Sequence, residues 1–388
     1  MRRKKQGAKH PSTLTSMANL GITYSKQGKY DDAEKLQQNV LDLHRKALGP
    51  EHPSTLISMG NLAVTYSDQG KYEDTEELQL KVLDLHKKTL GPEHPSTLIS
   101  MGNLAGIYSK QGKYEEAEEL QLKVMDLHRK MLGPEHPHTL TSMANLAVIY
   151  SKQEKYEEAV QLQLKVLDLS KKVLGPEHPS TLISMGNLSG IYSKQGRYEE
   201  AEELQLKVID LHKKMLGPEH PHTLTSMANL AVTYSDQKKY QEAEELWLKA
   251  LNLHQKALGP EHPSTLNSMA HLGVTYSNQG KYDKAEELQL KVLDLRKKAL
   301  GPEHPSTLIS MGNLAGTYSK QKKYEEAEEL QLKVLGLHRR MLGPEHPHTL
   351  TSMASLGAIY EKQEKNKEAE ELWMEIHIIQ QIMQNDQE

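Results

Sequence analysis

The 388-residue chain has no cysteine and no phenylalanine, and only two tryptophans. Without cysteine there is no disulfide framework and no thiolate to serve as nucleophile or soft metal ligand. Hydrophobic residues make up only 37% of the chain against 26% charged, a balance that suits a fold with much surface for its volume. An excess of charge is missing too, since 48 basic and 52 acidic residues are mixed throughout for a formal net charge of −4. Such a surface offers no electrostatic footprint for nucleic acid or anionic lipid. No apolar run approaches the roughly 20 residues of a bilayer span, and the opening MRRKKQGAKHP lacks the apolar stretch of a secretory leader. The expectation is a soluble, cytoplasmic protein with neither membrane nor nucleic acid as partner.

Repetition fills the chain instead. NLAGIYSKQGKYEEAEELQ at 103–121 returns as NLSGIYSKQGRYEEAEELQ at 187–205 and as NLAGTYSKQKKYEEAEELQ at 313–331. A His-Pro pair sets the register at His10, His52, His94, His136, His178, His220, His262, His304 and His346, always 42 residues apart. Nine repeats therefore start near 10, 52, 94, 136, 178, 220, 262, 304 and 346, and RRKKQGAKHP at the front reads as a worn copy of HRKALGPEHP. One domain over 1–388 is expected, with residues 1–9 as a degenerate lead.

The repeat from 93 to 134 shows two helical stripes. Leu98, Met101, Leu104, Ala105 and Tyr108 recur at i, i+3, i+4 spacing and place a leading helix over about 95–111, with Pro95 in its first turn. Tyr114, Ala117, Leu120, Val124, Leu127 and Met131 place a trailing helix over about 114–132. Its acidic first turn and basic last turn suit the helix macrodipole, and Glu119 stands four residues before Lys123. Gly133, expected as a left-handed cap, and Pro134 close it. A lone pair of this size leaves its apolar stripe exposed, so each copy must cover its neighbour.

The string Asn19-Leu20-Gly21 through Tyr24, Gln27, Gly28, Tyr30 and Ala33 resembles the tetratricopeptide repeat. Length and the LGPEHP connection make these 42-residue repeats similar to those of kinesin light chains and of arrays attached to fungal signalling NTPases. The resemblance implies an all-α, right-handed solenoid of antiparallel helix pairs that acts as a protein–protein interaction scaffold. It also implies that leading helices line a concave groove, where the Asn before Leu meets the main chain of an extended peptide. Here those positions are Asn19, Asn61, Asn103, Asn145, Asn187, Asn229 and Asn313, with His271 and Ser355 in the other two. Seven residues on, Lys110, Lys152 and Lys194 would make the groove mildly basic, with Asp68 and Asp236 interrupting the series. The bland alternative gives the Asn amides a bond to the neighbouring repeat that holds the stacking.

Catalysis requires dissimilar groups converging at one place, whereas this chain disperses the same residues nine times. No phosphate loop and no His-Glu-x-x-His occurs. The nine His of the His-Pro pairs, three of them in EHPH, are read as helix caps in preference to metal ligands. The expectation is no enzyme, no catalytic residue, no metal and no cofactor. Residues departing from their counterparts include Val160, Ser170, Trp247, Asn267, His271, Asn366 and Trp373. The last helix keeps Met374, Ile376, Ile378 and Ile379 with nothing after it to cover them, which suggests self-association through the ends or a piece cut from a larger protein. Two rival readings are a repeat array without a dedicated ligand and the sensor part of a signalling NTPase.

Overall fold

A computed structural model of the chain describes residues 10–27 and 29–385; the lead at 1–9 and Gly28 of the repeat motif lie outside the described residues. Among the described residues there are eighteen α-helices and no strand. They run as leading and trailing partners: α1 (Pro11–Lys26) with α2 (Tyr30–Leu48), α3 (Pro53–Gln69) with α4 (Tyr72–Leu90), and α5 (Pro95–Gln111) with α6 (Tyr114–Leu132). Next come α7 (Pro137–Lys152) with α8 (Tyr156–Leu174), α9 (Pro179–Lys194) with α10 (Tyr198–Leu216), and α11 (Pro221–Asp236) with α12 (Tyr240–Leu258). The series closes with α13 (Pro263–Asn278) and α14 (Tyr282–Leu300), α15 (Pro305–Lys320) and α16 (Tyr324–Leu342), and α17 (Pro347–Lys362) and α18 (Asn366–Asn385). The chain divides into two compact bodies, Met1–Leu246 and Trp247–Glu388. In the first, consecutive helices from α1 to α11 pack on one another; in the second, consecutive helices from α13 to α18 do the same, the stacking of an α-solenoid.

Burial follows the expected stripes. Leu98, Met101 and Leu104 on α5 are almost fully buried, and they cluster with Leu83 of α4 and Val124 of α6. Leu293, Leu308, Met311, Leu314 and Val334 repeat that arrangement across α14, α15 and α16. Each cluster thus draws on three successive helices, so a repeat's core is completed by its neighbour. Ala117, Ala159 and Ala327 are fully buried on the trailing helices, where a larger side chain would hold the partner helix away. On α18, Leu372, Ile376 and Ile379 are buried, while Met374 and Ile378 stay exposed.

The connections explain the LGPEHPST string. His94 sits in extended conformation before α5, and its Nδ1 accepts the Ser96 N–H at 3.1 Å, so the helix cap read from the sequence is present. Thr97, fully buried, donates from Oγ1 to the Gly91 carbonyl at 2.7 Å and ties the end of one repeat to the start of the next. The same bond recurs from Thr55, Thr139, Thr307 and Thr349. Gly133 corrects an expectation. Its φ of 91° is positive, but ψ is 165°, so it is not a left-handed α cap. Pro134 is the cause, because the residue before proline is driven from helical to extended ψ. The left-handed glycines instead end the leading helices, at Gly70 (φ 79°, ψ 11°) and Gly112 (φ 83°, ψ 2°). Glu119 and Lys123 are not joined, whereas their counterparts Glu203–Lys207 and Glu329–Lys333 pair at 2.6 Å.

Candidate functional site

Most polar groups between repeats are spent on holding them together. Glu76 on α4 accepts Gln111 Nε2 and Lys113 Nζ from the following repeat, both at 2.9 Å, and Lys113 also lies over the Tyr108 ring. Glu34, Glu118, Glu202, Glu286 and Glu328 make the same pair of contacts. Burial opposes the charge on Glu34, yet hydrogen bonds from Lys71 and Gln69 outweigh it and hold the carboxyl below its usual range. Ten residues after Glu76 on the trailing helix, His86 Nδ1 meets Ser100 Oγ at 2.8 Å across the junction. His44, His128, His212, His254 and His338 do likewise. Burial, aided by the neighbouring imidazoles His348 and His346, pushes His338 down to about 4.

The Asn series stands apart from this traffic. Asn19, Asn103, Asn145 and Asn229 are exposed, and Asn61, Asn187 and Asn313 are half-buried. Among the described residues none of the seven side-chain amides takes part in a hydrogen bond. Beside them the leading helices expose large apolar side chains, Ile57 (64%), Val64 (56%), Ile99 (60%), Ile183 (63%) and Ile309 (53%). Ile57, Asn61, Val64, His86, Ile99 and Asn103 line a groove of about 680 Å³ between α3, α4 and α5. A second groove of about 440 Å³ continues from it toward α1, sharing Ile57 and Asn61 and adding Asn19 and Ile22. Sequence reasoning missed the apolar half of this floor. Ile57 directly follows Leu56 of the buried stripe and, about 100° further round the helix, turns to solvent at 64% exposure.

The lysine series is more tied down than its sequence suggests. Lys110 donates to Ser67 Oγ at 2.8 Å and Lys152 to the Ser109 carbonyl at 3.1 Å, each reaching back one repeat. Asp68 plays the mirror role, accepting from Ser25 Oγ at 3.0 Å. Lys194 makes no hydrogen bond or ion pair among the described residues. Burial first, then the charges of Lys194 and Lys110, hold the Lys152 ammonium below its usual pKa range. Gly106, Gly190 and Gly316, each four residues after another glycine on its leading helix, have nothing within 4 Å of where a Cβ would point, so no neighbouring helix requires glycine there.

Two junctions break the pattern. Val160 replaces the tie-forming Glu on α8 and is buried in a cluster with Tyr192, itself only 8% exposed. Gln195 turns to Glu157 and Arg197 to Glu200 in compensation. In the second body, Trp247 stacks on His271 with ring centroids 4.6 Å apart and planes within 3°. Arg296, in place of the junction His, donates from Nη1 to the Ser306 carbonyl and Ser310 Oγ at 2.8 Å and from Nη2 to Asn267 Oδ1 at 2.6 Å.

Among the described residues no group of three or more His, Asp or Glu could hold a metal ion, and no helix is long and apolar enough to cross a membrane. Family models for the tetratricopeptide repeat match residues 13–54 and, in overlapping spans, 61–130, 100–172, 145–214, 187–246, 229–298, 271–340 and 312–373. No curated protein matches the chain. Among solved structures, the nearly identical TPR-like repeats of a Podosopora anserina protein named for kinesin light chain are 37% identical over 53% of this chain and 97% of that one, with a TM-score of 0.46. BtubC from P. vanneervenii is 17% identical over 61% of this chain and 92% of its own, with a TM-score of 0.45. A Rap protein complexed with competence and sporulation factor covers 96% of this chain and 99% of its own at 11% identity, with a TM-score of 0.59.

Proposed function

Because this chain belongs to the tetratricopeptide-repeat family, whose models follow it from residue 13 to 373, we propose that it binds an extended partner segment along its leading-helix groove. The fold is one that serves generally as a protein-interaction scaffold, and no catalytic family is indicated. The observation that carries the reading is the company the Asn amides keep. Among the described residues the side chains of Asn61 and Asn103 have no hydrogen-bond partner, yet they flank exposed Ile57 and Ile99 in one groove. An amide donates and accepts at once, which is what the main chain of an extended peptide requires, and the isoleucines supply apolar area for its side chains. The rival role, in which the amides hold the stacking, requires hydrogen bonds to the next repeat; those bonds are made by Glu76, Gln111, Lys113 and His86 instead.

Selection of random peptides on the full chain, followed by titration of the best binder, tests this. Ile57→Asp and Ile99→Asp are expected to weaken binding at least tenfold, and Asn103→Ala by about 2- to 10-fold, the worth of one or two hydrogen bonds. Thermal midpoints should barely move. A binder indifferent to all three substitutions, or no binder at all, would contradict the proposal.

A further inference from the structure

The second body holds a charge that no described carboxylate balances. Arg296 is 4% exposed, and its three hydrogen bonds all go to neutral acceptors: the Ser306 carbonyl, Ser310 Oγ and Asn267 Oδ1. Among the described residues no carboxylate reaches it, and its Nε–H and one Nη2–H have no partner. Burial alone lowers its pKa to about 10, which still leaves it a cation at neutral pH. Gln289, two turns earlier on α14 and 2% exposed, has both amide atoms buried without a hydrogen bond. Its counterparts Gln121, Gln163 and Gln331 instead donate to a serine carbonyl at 3.0 Å. An unpaired buried cation and an unsatisfied amide each cost stability, so their meeting at one junction needs a compensating partner.

The repeat register shows where this junction faces. Asn267, His271, Gln289, Arg296, Ser306 and Ser310 stand five repeats after Ile57, Asn61, Gln79, His86, Ser96 and Ser100, all of which line the first-body groove. Three of the six differ from those counterparts, and each change adds polarity or cationic character: Ile to Asn, Asn to His, His to Arg. The rim is accessible, because Asn267 and His271 are both exposed, and stacking on Trp247 fixes the His271 ring.

We propose that Arg296, Gln289, Asn267 and His271 form a subsite that takes a carboxylate of the bound segment. This rests on the leading-helix groove being the binding face. The two free guanidinium donors match the two oxygens of a carboxylate, and the pair would form in a largely dry setting where charge-assisted hydrogen bonds are strongest. The Gln289 amide, two turns earlier on α14, adds a neutral donor at the same junction. No other described junction has this set, since the equivalent position is His in six repeats and Ser170 in one.

The test uses free anions and needs no peptide, so it stands or falls separately from the groove variants. In the full chain carrying Trp373→Phe, Trp247 is the single tryptophan and reports on the His271 contact. Succinate, inorganic phosphate and chloride are titrated at constant ionic strength, following Trp247 fluorescence and the thermal midpoint. Succinate is expected to give a saturable change and a raised midpoint, at least tenfold weaker in Arg296→His. That variant restores the His–Ser pairing of six other junctions, and its midpoint without anion should equal or exceed the parent's. Arg296→Gln, also uncharged, provides the same comparison should the first variant fold poorly. No saturable response to succinate, a response undiminished in both variants, or saturation by phosphate alone would overturn the assignment.

Discussion

His94 and Asn103 are nine residues apart on one helix segment, and they do opposite work. His94 caps α5 through its Nδ1, so His94→Ala removes the acceptor for the Ser96 N–H and should lower stability by about 1 kcal/mol. The Asn103 side chain makes no hydrogen bond among the described residues, and alanine is the better helix former, so Asn103→Ala should stay within about 0.5 kcal/mol of the parent or gain slightly. Chemical denaturation of the two variants side by side checks the pair. A loss on Asn103→Ala as large as on His94→Ala would make the amide structural. The cap was legible in the sequence because histidine before Pro at a helix start has few other uses. Arg296 was not, because LDLRKKAL reads as one more basic last turn, and only the folded chain shows that its first cation is buried. Gly133 misled for a related reason: a glycine after a helix suggests a left-handed cap until the following proline is weighed.

At the scale of the helix junction, two currencies hold neighbours together and they differ in worth. The Glu76–Gln111–Lys113 tie lies partly in solvent, where such pairs contribute little, so Glu76→Gln should cost at most about 1 kcal/mol. The junction between α8 and the following pair has replaced that tie by burial of Val160 against Tyr192. Removing two methyl groups there by Val160→Ala should cost about 2 kcal/mol, from lost transfer energy and the cavity left behind. Urea midpoints for the two variants are the comparison, and a costlier Glu76→Gln would reverse the ranking. Helix boundaries were readable closely, with α5 and α6 ending where the stripes, Pro95 and Gly133 place them. The ties were not, since Glu76 and Lys113 lie 37 residues apart and no local spacing links them.

For the whole molecule, a 42-residue period carries two consequences at once. Each pair completes its neighbour's core, so stability accumulates junction by junction. The same period copies whatever faces away from the junctions, so the amides and isoleucines of the leading helices recur along the chain without being needed for packing. That second face is where we propose binding, and it was half visible in the sequence. The Asn series stood out by resemblance, while the apolar floor hid among hydrophobic residues that the helix stripe had already claimed. Junction-by-junction stability is tested most directly by excising residues 95–136, which joins His94 to Pro137 and leaves the register GPEHPHTL unbroken. The shortened chain should keep cooperative unfolding and helical circular dichroism, with a denaturant slope reduced by about one part in nine. Removal of residues 95–115, half a period, should collapse both. If the two deletions are equally damaging, the repeats are not self-completing neighbours and the account fails.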